Sequence, residues 1–177
     1  MEYNQIEKRH INAIITDIYE QANNLKSKYI SVAFEIFSTI NLIKKMIEIL
    51  KKEPSVLEIE TENDEKDLVI VGDIHGSLES LINIFQQNGL PPQKKYLFLG
   101  DLIDRGNNSC EVIILIYALK YLYNDCVYII RGNHEFIDMT SNYGFRDECY
   151  RRVIEIKGDK VFNKGDEFYK QVIKTFK

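Results

Sequence analysis

Several things are scarce in this chain, and each scarcity removes a class of protein. No apolar stretch reaches the roughly 20 residues that span a bilayer, and Met1 to His10 is polar rather than signal-like. Lysine and arginine, 23 together, are outnumbered by 27 acids, which gives a net charge of −4 and a pI near 5.5. That balance leaves no basic footprint for a nucleic acid. The three cysteines, Cys110, Cys126 and Cys149, are odd in number and form no CxxC pair, so free thiols in a reducing compartment are expected. Three prolines and nine glycines make no linker, and there is no repeat or low-complexity segment. The expectation is a soluble intracellular protein, cytoplasmic or nuclear, with neither a nucleic acid nor a membrane as partner.

What remains is enough for one domain, since 177 residues with 45% apolar content can bury a real core. Three short apolar runs, Leu68 to Val71, Tyr96 to Leu99 and Val127 to Ile130, are rich in β-branched and aromatic residues and read as buried strands. Each runs into a polar cluster: Gly72-Asp73-Ile74-His75-Gly76, then Gly100-Asp101-Leu102-Ile103-Asp104-Arg105-Gly106, then Arg131-Gly132-Asn133-His134-Glu135. Helical patterns lie between the strands. That order implies right-handed crossovers and a parallel sheet, so all three clusters meet beyond the carboxyl ends of the strands.

The rest of the chain is mostly helical by pattern. Residues 5 to about 26 and about 30 to 52 carry apolar stripes at helical spacing, and Val56 to Glu60 alternates as a strand. Residues 1–54 are expected to form a helical region packed on a catalytic core at 55–177. In that core, Leu78 to Phe85 predicts a helix that Gly89 ends in a left-handed cap, and Ser109 caps a helix running to about Tyr123. Tyr143 to about Ile156 predicts another, Lys160 to Gly165 a polar loop, and Phe168 to Phe176 a last helix.

The clusters carry chemistry. Asp73 and His75 alternate around Ile74, so in extended backbone they point the same way and can share one metal. A carboxylate with an imidazole suits Mn, Fe or Zn. Asp101 can bridge two ions, and Asn133 offers an amide oxygen to the second. Two such ions are the recurring arrangement for attack of water on phosphorus. Arg105 adds a planar fork matched to phosphate oxygens. His134, beside Asn133, is placed as general acid for the leaving oxygen, with Asp104 to orient its ring. Glu135 and Glu148 are left unassigned between supporting the ligand-bearing residues and capping a helix.

Together these motifs resemble the PPP family of protein serine/threonine phosphatases, as does Tyr143-Gly144-Phe145-Arg146-Asp147-Glu148-Cys149 with Arg151-Arg152. The resemblance covers about Ser55 to Lys177. It implies an α/β fold of the calcineurin-like metallophosphoesterase type, a β-sandwich flanked by helices. It implies hydrolysis of phosphoserine and phosphothreonine by water activated at two divalent metal ions, with phosphoprotein substrates and regulatory subunits as partners. Asp73, His75 and Asp101 would hold the first ion, Asp101 and Asn133 the second, with His134 and Asp104 as the proton-donating pair and Arg105 as phosphate clamp. The chain departs from the family in carrying Ser80 where an aspartate is usual, and in a long stretch from Gly158 to Gly165. The family also draws two further histidines and an arginine from a C-terminal half, whereas His10 is the only histidine here outside the motifs. The expectation is therefore a truncated sandwich with an uncovered apolar sheet face and weak activity or none. The alternatives are a noncatalytic fragment that binds phosphatase partners or substrates, and a dinucleoside polyphosphate hydrolase, a family that shares the first two motifs.

Overall fold

The computed structural model describes residues 5–23, 36–61, 68–157 and 162–177. Helices α1 (Gln5–Asn23) and α2 (Ile36–Leu50) precede strand β1 (Leu68–Val71). Helix α3 (Leu78–Asn88), strand β2 (Lys95–Phe98), helix α4 (Ser109–Leu122) and strand β3 (Val127–Ile129) follow in strict alternation. After a 3-10 turn at Asn133–Glu135 come α5 (Ile137–Asn142), α6 (Phe145–Lys157) and α7 (Phe162–Thr175).

The three strands lie side by side in sequence order and pair in parallel, Val71 opposite Phe98 and Phe98 opposite Ile129. Their carboxyl ends are therefore level, which brings the three polar clusters to one edge. The register also pairs Ile70 with Leu97 and Leu97 with Tyr128. Since alternate residues face the same side, Val71, Tyr96, Phe98 and Val127 point into the core, and all four are buried. Tyr96 packs edge-on against Phe85 of α3, with ring centroids 5.0 Å apart. The opposite face turns Ile70, Leu99 and Ile130 outward, 61, 42 and 52% exposed. Among the described residues nothing covers that apolar face.

Helix α4 is the spine of the buried side. Every residue from Ser109 to Tyr121 is buried, which is why its run Val112 to Ile116 is apolar all round. Helices α1 and α2 both lie against it, and α7 lies against α2 and α6. Each fully buried Ile or Leu contributes about 1.5–3 kcal/mol, so this contact ties the N-terminal helices to the sheet. Lys120 reinforces the tie. Its buried Nζ is 2.5 Å from Glu53 Oε1, beyond α2, and donates to the Val127 carbonyl of β3 at 2.7 Å.

Four local expectations need correction. Val56 to Glu60 is not a strand: none of the three strands pairs with it, β2 reaching it only through the Lys95 side chain on the Glu60 carbonyl, and Val56 is 79% exposed. Gly89 has φ 91° and ψ 162°, so its positive φ serves an extended turn rather than a left-handed cap. Ser109 does not cap α4. It is the first buried residue of the helix, and the Glu148 carboxylate caps it by accepting the Ser109 and Cys110 N–H groups at 3.1 and 2.8 Å. The loop expected at 160–165 is already helical from Phe162, because Gly165 packs its bare Cα against Tyr150 of α6; residues 158–161 lie outside the described residues. The parts of the predicted N-terminal helices at 24–26 and 30–35 also lie outside them.

No helix among the described residues is long and apolar enough to cross a membrane. The cysteines are free thiols, and burial pushes those of Cys110 and Cys149 up.

Truncating Lys120 to alanine leaves a buried strand carbonyl and the partly exposed Glu53 carboxylate without their donor. Losing such a donor costs about 1–3 kcal/mol, so urea unfolding of Lys120→Ala is expected to show a loss of that size, and an unchanged midpoint would mean the contact is not structural.

Candidate active site

The site is assembled from backbone before any side chain is considered. Asp101 follows β2 with φ 50°, and its carbonyl accepts the N–H groups of Ile74 and His75 at 3.1 and 2.9 Å. Its Oδ1 accepts the His134 N–H at 2.8 Å. One residue thus bonds the first cluster on one side and the third on the other. Two glycines permit this closeness. A Cβ on Gly100 would sit 2.0 Å from the Gly132 nitrogen, and one on Gly132 would sit 2.2 Å from Asp101 Oδ1.

Glu135, which sequence reasoning left without a role, locks the arrangement. Its Oε2 accepts the N–H groups of Asp101 and Gly132 at 2.8 and 2.9 Å, and its Oε1 that of Leu102 at 2.9 Å. Burial pushes its carboxyl up while these three donors pull it down, and the upward push prevails. The signal in the sequence was an acid at the end of a turn-rich motif, with no strand or amphipathic helix to place it in. That is a weak signal.

The side chains then converge. His75 is not extended, as its φ of 47° shows, so the alternation argument for Asp73 and His75 fails in detail. The two still meet, His75 Nε2 lying 3.7 Å from Asp73 Oδ2, because the turn itself points both outward. The His75 Nδ1 lies 3.0 Å from the Ile103 carbonyl. A carbonyl can only accept, so Nδ1 carries the proton and Nε2 is left with a free lone pair. His75, Asp101 and His134 each offer a ligating atom, all within 4.8 Å of one another. Asn133 opens the same 3-10 turn as His134 and is exposed.

Around His134 the contacts form a chain. Its Nδ1 is 3.0 Å from Asp104 Oδ2, both groups being fully buried. Its Nε2 is 3.1 Å from Arg105 Nη2. The Asp104 carboxylate is itself held by the Phe145 N–H at 2.9 Å, and Arg105 N–H donates to the Tyr143 carbonyl at 3.0 Å. Tyr143 also stands edge-on to the His134 ring at 5.1 Å, a neighbour that sequence reasoning did not single out. Asp104 and Arg105 have φ of 69° and 66°, a strained conformation for side-chain-bearing residues that costs on the order of 1–3 kcal/mol each.

A sheet edge presenting two imidazoles, three carboxylates and a guanidinium around one point is the layout of a metal-assisted phosphoesterase, and the comparisons with known proteins agree. The calcineurin-like phosphoesterase family matches residues 67–174, and the chain belongs to it. Among the relatives it matches are proteins named as serine/threonine-protein phosphatases. Serine/threonine-protein phosphatase T of Schizosaccharomyces pombe is 42% identical over 145 residues, which is 81% of this chain and 29% of the relative. The protein of the same name from Aspergillus oryzae is 37% identical over 162 residues, 91% of this chain and 32% of the relative. A solved protein serine/threonine phosphatase from Saccharomyces cerevisiae, described as similar to human phosphatase PP5, superposes with a TM-score of 0.62 at 34% identity. That superposition covers 76% of this chain and 42% of the other. The chain spans about three-tenths of the length of the two curated relatives.

Removing the Glu135 carboxylate leaves three backbone donors without partners. At about 1–3 kcal/mol each, Glu135→Ala is expected to lose about 3 kcal/mol or more in equilibrium unfolding, with Glu135→Gln intermediate; equal stability of Glu135→Ala and wild type would show that the lock is dispensable.

Proposed function

We propose that this chain carries the metal-binding and proton-donating part of a phosphoserine/phosphothreonine phosphatase, with residues 1–54 as a helical region seated on a catalytic core at 55–177. The observation that carries the reading is the chain of contacts from Asp104 through His134 to Arg105, standing within reach of His75 and Asp101.

The donor set fits divalent metal ions: an imidazole Nε2 with its proton on the far nitrogen, a carboxylate 3.7 Å away, and a second carboxylate shared between two clusters. In this reading Asp73, His75 and Asp101 hold a first ion, and Asp101 with Asn133 a second, of Mn, Fe or Zn. Bound there, such ions supply Lewis-acid polarisation of the phosphoryl group and a more acidic water.

The remaining work falls to the protein. Arg105 binds the phosphate oxygens through its planar fork. To do so its Nη2 has to release His134 Nε2, which it meets at 3.1 Å. As the imidazolium, with a proton on each nitrogen, His134 then faces the leaving serine or threonine oxygen, gives it the Nε2 proton and is left neutral with Nδ1 still protonated. Asp104 keeps Nδ1 protonated and the ring upright, and its own placement is fixed by the Phe145 N–H. The exposed apolar face at Ile70, Leu99 and Ile130 favours a second reading, in which the chain binds phosphatase partners or substrates without turnover.

Hydrolysis of an aryl phosphate by the purified chain with added Mn²⁺ separates the two. Turnover that Asp101→Asn abolishes supports the catalytic reading, and absence of turnover leaves the binding reading. His134→Asn is expected to slow turnover about 10²–10⁴-fold while Mn²⁺ affinity stays near wild type; equal losses in both would make His134 a ligand. A phosphopeptide is expected to outrun diadenosine tetraphosphate as substrate, and the reverse order would transfer the site to polyphosphate hydrolysis.

A further inference from the structure

Beneath the Asp104–Arg105 turn lies a group of ionisable side chains that the chemistry above does not use. Glu111 on α4, with Glu148 and Arg152 on α6, are all buried. Arg152 Nη2 donates to the Asn107 carbonyl at 2.9 Å and lies 3.2 Å from Glu111 Oε1. Glu148 holds the N–H groups of Ser109 and Cys110 at 3.1 and 2.8 Å. Between them, these three side chains grip residues 107–110, the short span joining Arg105 to α4.

That span is also pressed against the first cluster. The Asn108 N–H donates to the Gly76 carbonyl at 3.1 Å. A Cβ on Gly106 would lie 2.2 Å from the His75 carbonyl oxygen, and one on Gly76 2.6 Å from Ser109 Oγ. Backbone touches backbone at Gly106, and at Gly76 only the short Ser109 hydroxyl intervenes, so little is left to absorb a shift. Wherever residues 107–110 are set, the distance from Arg105 to His75 follows.

Two acids facing one arginine are a poor way to gain stability, because desolvation consumes most of the attraction. Burial pushes the Glu111 carboxyl up, to about 7, against the pull of Arg152 and with a further push from Glu148. What such a cluster supplies is directionality, since the guanidinium donates to the Asn107 carbonyl only in a particular orientation, and the Glu111 carboxylate, 3.2 Å away and without a hydrogen-bond partner, holds it there by charge.

We propose that Glu111, Arg152 and Glu148 form a positioning device for the phosphate clamp: they fix the Asn107–Cys110 span and through it the placement of Asp104 and Arg105 against His75. The functional consequence rests on the reading of Arg105 given above; the mechanical claim does not.

The test uses the full chain without added metal, with amide hydrogen exchange and histidine ring ¹⁵N signals read by NMR. Arg152→Met is expected to speed exchange of the Arg105 and Asn108 amides at least tenfold while amides of β2 keep their wild-type rates. It should also shift the His134 ring signals, since Arg105 Nη2 is 3.1 Å from its Nε2. Arg152→Lys, which keeps the charge but loses the fork, should restore protection only in part. If Arg152→Met does not fold, Glu111→Gln is read in its place and should loosen the same two amides. Unchanged protection at those amides, or acceleration spread evenly over the fold, would overturn the proposal. Because no metal or substrate is present, a failure of phosphatase activity in the wild type would leave this outcome unaffected.

Discussion

Asp101 is the constraint on which the rest of the structure depends. Its carbonyl fastens the turn after β1, its carboxylate fastens the turn after β3, and its own N–H is fastened by Glu135. Two segments far apart in sequence are thereby hydrogen-bonded to one residue of a third, so the site is a rigid junction with little loop freedom. The strain is concentrated in the same place. Among the described residues, the non-glycine residues with positive φ are His75, Asp101, Asp104 and Arg105, and all four lie in the first two clusters. Conformations this unfavourable persist only where the surroundings over-determine them, and the hydrogen bonds around Asp101 and Asp104 do so.

The fold follows from the same logic one level down. A parallel sheet has its strand ends level, so a site that needs several strand ends is available without any special loop. The buried helix α4 sits under that sheet, and its buried N-terminus abuts the Asp104–Arg105 turn. The turn is held from below by α6 and from the side by the first cluster, through Arg152 and Asn108. The site therefore draws its rigidity from the core that the sheet and helices share.

The strands, their order and the meeting of the clusters could be read from the sequence because short β-branched runs ending in Gly-Asp and Arg-Gly have few other homes. Periodicity also found the core of α4. It could not find the short α5 or the 3-10 turn at Asn133–Glu135, because six and three residues are too few to show a helical period. For Glu135 and Glu148 sequence reasoning offered support of the ligands or helix capping, which Glu148 at the start of α4 bears out, but not the groups they meet. Each caps backbone groups more than 30 residues away, and such pairings are settled by packing that no local pattern records. The alternation of Asp73 and His75 led to their proximity for the wrong reason, since a left-handed turn brings them together. Val56 to Glu60 failed as a strand because alternation needs a neighbouring strand to become one.

The central claim is that side chains at this junction bind divalent cations. The protein offers a direct reporter, for it has three histidines, two at the junction and His10 in α1. Substoichiometric Mn²⁺ added to the chain should broaden the ring signals of His75 and His134 through its unpaired electrons and spare those of His10, and Asp101→Asn should abolish the effect. Broadening that touches all three rings equally, or none, would contradict the account.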